Sequence, residues 1–121
     1  MNETRDLVAD SISRIFSERV NRKVLEAAEK GVWQEALWKQ VQEAGFHRSL
    51  VPEQHGGGGL TWTEAQPIML ALGYWRAPLP LVETLVGTGL LASVGLPCDM
   101  DDIVTFAQAD ARSPLRMETA G

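Results

Sequence analysis

Four consecutive glycines at 56–59 are the feature of this chain most open to a chemical reading. Runs of glycine N–H groups can cradle phosphate. A P-loop, however, needs a lysine directly after its last glycine. A dinucleotide fingerprint needs a strand before the glycines and a helix directly after them. Here Leu60 follows Gly59, Pro52 precedes the run, and no acidic ribose partner is correctly placed. The run therefore predicts a structural turn. His47 and His55 flank it, and Cys98 is the single cysteine. These three match no metal-ligand spacing, so no metal site is expected. Both histidines are expected at the surface or in hydrogen bonds. Cys98 follows Pro97 in a turn and has no cationic neighbour in sequence to activate its thiol. Glu83 is the one acid in the apolar stretch 79–96. Buried, such a carboxylate could serve as a general base, but its place in the first turn of a helix already accounts for it. Trp33, Trp38, Trp62 and Trp75 suggest contact surfaces, where a ring is buried at one end and wet at the other.

The elements that would carry these residues are helical. Leu7, Val8, Ile12, Ile15, Phe16 and Val20 recur in steps of three and four, which predicts an amphipathic helix over 4–20. Residues 21–30 either continue it or form a second turn, because Val24, Leu25 and Ala28 remain periodic. Gly31 breaks the pattern. A helix over 33–44 places Leu37, Trp38 and Val41 inward, and Gly45 stands where a left-handed residue closes a helix, with Phe46 covering Val41. A loop follows over 46–60, extended at Leu50, Val51 and Pro52. Thr61 and Glu64 form a capping box, with Thr63 as an alternative cap that would put Pro67 at a tolerable fourth position. Ile68, Met69 and Leu72 form the buried face of that helix, and Gly73 weakens its end. Pro78 and Pro80 mark a turn, with Pro80 near the first position of the next helix. That helix, over 81–94, is apolar nearly all round, so it must be covered on several sides. Residues 103–109 alternate like a strand, yet one strand has nothing to pair with here.

Length and charge narrow the class. A chain of 121 residues encloses one core. The 45% hydrophobic and 22% charged composition is that of a folded domain. A net charge of −5 argues against nucleic-acid binding by phosphate neutralisation. The N-terminus lacks a signal or transit pattern, and the stretch 79–96 is interrupted by Glu83 and three glycines, so no membrane span is expected. One cysteine fits a reducing, cytoplasmic compartment.

Residues 33–46 (WQEALWKQVQEAGF) and 50–60 (LVPEQHGGGGL) closely resemble the N-terminal helical domain of acyl-CoA dehydrogenases. That family has a Leu-Trp pair, a helix ending in glycine, then Pro-Glu-x-x-Gly-Gly-x-Gly-Leu. Pro52, Glu53, Gly56, Gly57, Gly59 and Leu60 keep that spacing, and Leu72-Gly73 stands where a later helix of the family ends. Pro78, Pro80 and Thr84 resemble a Pro-x-Pro-x-x-x-Thr pattern of a bacterial branch that includes enzymes for bulky thioesters. The resemblance covers residues 1–109.

It implies an all-α fold, an antiparallel helical bundle of the acyl-CoA dehydrogenase type with one orphan β-strand near the C-terminus. Residues 1–97 would be the helical domain, and 98–121 a linker and the first strand of a β-domain that continues elsewhere. The implied activity is FAD-dependent α,β-dehydrogenation of an acyl-CoA thioester to an enoyl-CoA. Acyl-CoA, an electron-transfer flavoprotein and an oligomeric assembly are the implied partners. Val82, Val86 and Leu90 would border the acyl chain, with Gly87 and Gly89 making room for a close neighbour. No catalytic residue and no flavin ligand is expected among these residues, and Glu83 does not match the family's glutamate base. The resemblance thus implies a fragment that is inactive alone and holds no FAD by itself. The alternatives are a non-catalytic helical partner subunit and a self-assembling helical module.

Overall fold

A computed structural model of the chain describes residues 2–96 together with 103 and 104. Five α-helices make up the described fold: α1 (Glu3–Arg19), α2 (Arg22–Glu29), α3 (Glu35–Glu43), α4 (Trp62–Trp75) and α5 (Leu81–Ser93). Two 3₁₀ turns, Phe46–Arg48 and Glu53–His55, interrupt the segment between α3 and α4. The all-α expectation holds among the described residues. Of the expected strand over 103–109, only Ile103 and Val104 are described, and neither lies in regular secondary structure. The remaining residues of that strand, with Pro97, Cys98 and the rest of the expected linker, lie outside the described residues.

Asparagine settles the first ambiguity. Val20 is extended, and Asn21 then caps a separate helix by accepting from the Val24 N–H at 2.9 Å. Residues 21–30 are therefore not a continuation of α1. Gly31 closes α2 with the paired bonds of a Schellman motif, from Gly31 to Ala28 and from Val32 to Ala27. Gly45 has φ +78° and donates to the Gln42 carbonyl at 2.9 Å, as its sequence position predicts. Trp33 precedes α3 rather than starting it.

The capping box at Thr61 is present in both directions, so Thr63 is not the cap. Pro67 therefore stands inside α4, where its missing N–H leaves the Thr63 carbonyl without a helical donor. Thr63 is exposed, so water can solvate that carbonyl. Helix α4 also runs past Gly73 to Trp75 and ends on Arg76, which takes the left-handed conformation at φ +52°.

The core joins Ile12, Phe16 and Val20 of the α1 segment to Leu37, Trp38 and Val41 of α3. Phe46, Ala65, Ile68, Ala71 and Leu72, then Leu81 and Leu85 of α5, complete it. Leu7, expected inward, is exposed, and Val8 and Ile15 are only partly buried. The buried part of the α1 stripe thus begins later than its periodicity suggests, with Ile12 its first fully buried residue.

The segment 46–60 is the platform for α5. A Cβ on Gly57 would collide with the Val51 carbonyl oxygen, and one on Gly89 of α5 would stand 2.9 Å from the Leu50 Cβ. Both positions need the missing side chain for backbone approach. Gly57→Ala is expected to destabilise the fold by about 2 kcal/mol or more, because the obstacle is backbone. Leu85→Asp, at a fully buried site, is expected to cost several kcal/mol, of order 3–5. Urea unfolding midpoints of the two variants check both values.

Candidate functional site

The glycine run is committed to its own chain. Gly56 donates to the Glu53 carbonyl, Gly57 to Pro52, Gly58 to Arg48, Gly59 to Val51 and Leu60 to Ser49, at 2.8–3.1 Å. Five successive N–H groups are therefore spent on carbonyls of residues 48–53, and none is left to receive a phosphate. The structural reading of the run holds.

Helix α5 sits on this platform with a buried face of mixed polarity. Its buried face contains two threonines. Thr88 Oγ1 donates to the carbonyls of His47 (3.1 Å) and Leu85 (3.2 Å). Thr84 Oγ1 donates to the Val104 carbonyl at 3.1 Å and accepts from the Val104 N–H at 3.2 Å. Gly87 is also buried, and Leu81 and Leu85 supply the apolar anchorage to the core. On the outward side Val82 and Leu90 keep 39% and 47% of their surface exposed, with Val86 between them partly buried. Their spacing of four residues aligns them in one stripe about 12 Å long. Val94 and Leu96 extend the exposed apolar surface beyond it. The sequence thus names the right helix as over-apolar, and the structure shows which side is left open: the three residues expected at an acyl chain share it. Glu83 is exposed in the first turn, where the helix dipole favours an acid.

Of the two alternatives for His47, the surface one does not hold. The residue is buried, and its ring meets Trp38 edge-on at a centroid distance of 6.2 Å. The tryptophans also divide. Trp38 is core, Trp75 is partly buried, and Trp33 and Trp62 are about half exposed. Arg48 carried no signal in the sequence, since a lone arginine in a loop is by default a solvated cation. Here it is buried and donates from Nη2 to the His55 carbonyl at 3.1 Å. With Val51, Thr88, Ala92 and Leu96 it lines a cavity of about 300 Å³ under the C-terminal half of α5. A second hollow of about 540 Å³ lies between α1 and α4, edged by Arg5, Ala9, Leu70 and Tyr74. Among the described residues no three His, Cys, Asp or Glu side chains gather as a metal site.

This architecture can be set beside known proteins. The family model for the acyl-CoA dehydrogenase N-terminal domain matches residues 2–97. The chain is 37% identical over 62 residues to the acyl-CoA dehydrogenase FadE27 of Mycobacterium tuberculosis, a stretch covering 50% of this chain and 17% of that protein. It is 23% identical over 111 residues to the acyl-CoA dehydrogenase IpdE2 of Mycolicibacterium smegmatis, covering 89% of this chain and 36% of that protein. The chain therefore spans about a third or less of the length of these relatives. No solved structure matches it. The family match runs from α1 through the end of α5, including the glycine platform and the helix that stands on it. The chain belongs to the acyl-CoA dehydrogenase N-terminal domain family.

Proposed function

We propose that this chain supplies the helical N-terminal domain of an FAD-dependent acyl-CoA dehydrogenase, and that Val82, Val86 and Leu90 form one wall of its acyl cavity. The observation that carries the reading is that α5 buries Thr84 and Thr88 beside Leu81 and Leu85 while leaving the aliphatic side chains of Val82 and Leu90 exposed. A folded domain gains nothing by wetting such a stripe. An acyl chain is an occupant that matches it chemically, because methylene groups laid on Val and Leu need no polar partner.

In this reading, FAD bound in the complete protein would supply the hydride-accepting chemistry for the thioester substrate. The glycine N–H groups of 56–59 are spent on carbonyls and so are not available to the flavin pyrophosphate. No residue of this chain is assigned to FAD or to the catalytic base. The part of these residues is to exclude water from the acyl chain and to orient it, held by a helix that cannot retreat from its platform. Residues 98–121 would begin the β-domain. An electron-transfer flavoprotein as electron acceptor, an oligomeric assembly and a cytoplasmic location belong to the same proposal. Among the described residues no helix is long and apolar enough to cross a membrane.

A second reading, a helical partner subunit or self-assembling module without catalytic duty, is favoured by the α1–α4 hollow, where Leu70 and Tyr74 are exposed. The native polypeptide carrying this sequence separates the two. The dehydrogenase reading expects a yellow protein whose flavin is bleached by an acyl-CoA and which passes electrons to a dye. A colourless protein that oxidises no member of an acyl-CoA panel overturns it. Within the same protein, Leu90→Asp is expected to leave stability within about 0.5 kcal/mol, because the site is half exposed. It is expected to lower kcat/KM for acyl-CoA oxidation by about tenfold or more, because a carboxylate would face the chain. Unchanged kcat/KM would remove the stripe from the acyl cavity.

A further inference from the structure

The acyl-wall reading has no use for Thr84 of the Pro-x-Pro-x-x-x-Thr pattern. It is fully buried, yet its hydroxyl is not turned back on its own helix, the usual outlet for a threonine in mid-helix. Instead it makes both possible bonds with one residue that lies 20 positions on. It donates to the Val104 carbonyl at 3.1 Å and accepts the Val104 N–H at 3.2 Å. A hydroxyl is at once a donor and an acceptor. It can therefore satisfy both backbone groups of one residue, as a neighbouring strand would. Thr88, one turn further along α5, spends its hydroxyl inside the helical domain, on His47 and Leu85.

We infer that Thr84 is a positioning residue, whose hydroxyl clasps residue 104 to the buried side of α5 and so fixes where the following polypeptide starts. Val82 and Val86 each lie two residues from Thr84, about 200° around the helix. The clasp and the outward stripe are therefore on opposite sides of α5. A chain pinned behind the helix at residue 104 cannot cross the stripe in front of it at that point. Its consequence for an acyl chain rests on the dehydrogenase reading, whereas the clasp itself does not.

Amide hydrogen exchange of the purified chain, read by NMR, tests the clasp. In the wild type the Val104 N–H is expected to share the protection of the α5 amides. Thr84→Val keeps the shape and removes the hydroxyl, and is expected to lower Val104 protection roughly tenfold while amides of α1 and α4 keep theirs. Thr84→Ser restores the hydroxyl and is expected to stay within about threefold of the wild type. Unchanged Val104 protection in Thr84→Val, or loss of it in Thr84→Ser, overturns the inference. Should the valine variant fail to fold, the wild type decides alone, because a Val104 amide that exchanges like an unfolded chain is incompatible with the clasp. None of these readouts depends on activity. A failed oxidation assay beside a protected Val104 amide would remove the acyl wall and leave the clasp standing.

Discussion

The contact on which this molecule depends is the approach of backbone to backbone within 48–60. Gly57 stands so close to the Val51 carbonyl that no side chain fits between them. That approach lets five consecutive N–H groups find carbonyls a few residues earlier in the chain. A segment with two 3₁₀ turns and no long helix would otherwise carry many unpaired polar groups into the protein. Pairing them internally turns a loop into a solid floor, buried at His47, Arg48, Ser49 and Val51. The same local arrangement explains why the glycines do not act on a ligand. A donor engaged in holding the fold is not available to a phosphate.

The floor in turn decides how α5 is held. Against a surface of paired backbone, an aliphatic face would leave the His47 carbonyl without the hydroxyl that now reaches it. Threonine suits the place, since its methyl packs and its hydroxyl bonds. Gly89 meets Leu50 at the distance only a missing side chain allows. With Thr84, Gly87 and Thr88 inward beside Leu81 and Leu85, Val82 and Leu90 of the same helix are left outward. The stripe of Val82, Val86 and Leu90 is thus a consequence of the docking chemistry beneath it.

For the proposed reaction this makes the helical domain a rigid wall. The stiff, β-branched Val82 and Val86 lose little further freedom when an apolar chain is laid across them. In the proposed reading the hydride acceptor and the base would belong to other parts of the protein. The two relatives, each at least nearly three times as long as the stretch matched here, are named acyl-CoA dehydrogenases.

The helices themselves were legible in the sequence wherever a local rule suffices. The Thr61–Glu64 box, the turn at Gly45 and the excess apolarity of 81–94 each need only residues within a few positions of one another. The break at Asn21 was there to be read as a side-chain cap, but the hydrophobic period running through it masked the signal. Other features depend on distance in the chain. Leu7 repeats the period of its helix and is still exposed. His47 and Arg48 look like surface polar residues and are buried, because α5 lies over them from 40 positions away. Which side of α5 faces out was equally undecided, since the helix is apolar nearly all round and a period alone gives it no direction. The sequence by itself determined the helices, their caps and the structural nature of the glycines, because those follow from interactions between near neighbours. Only the tertiary structure decided burial and orientation, because these are set by where a distant backbone carbonyl happens to stand.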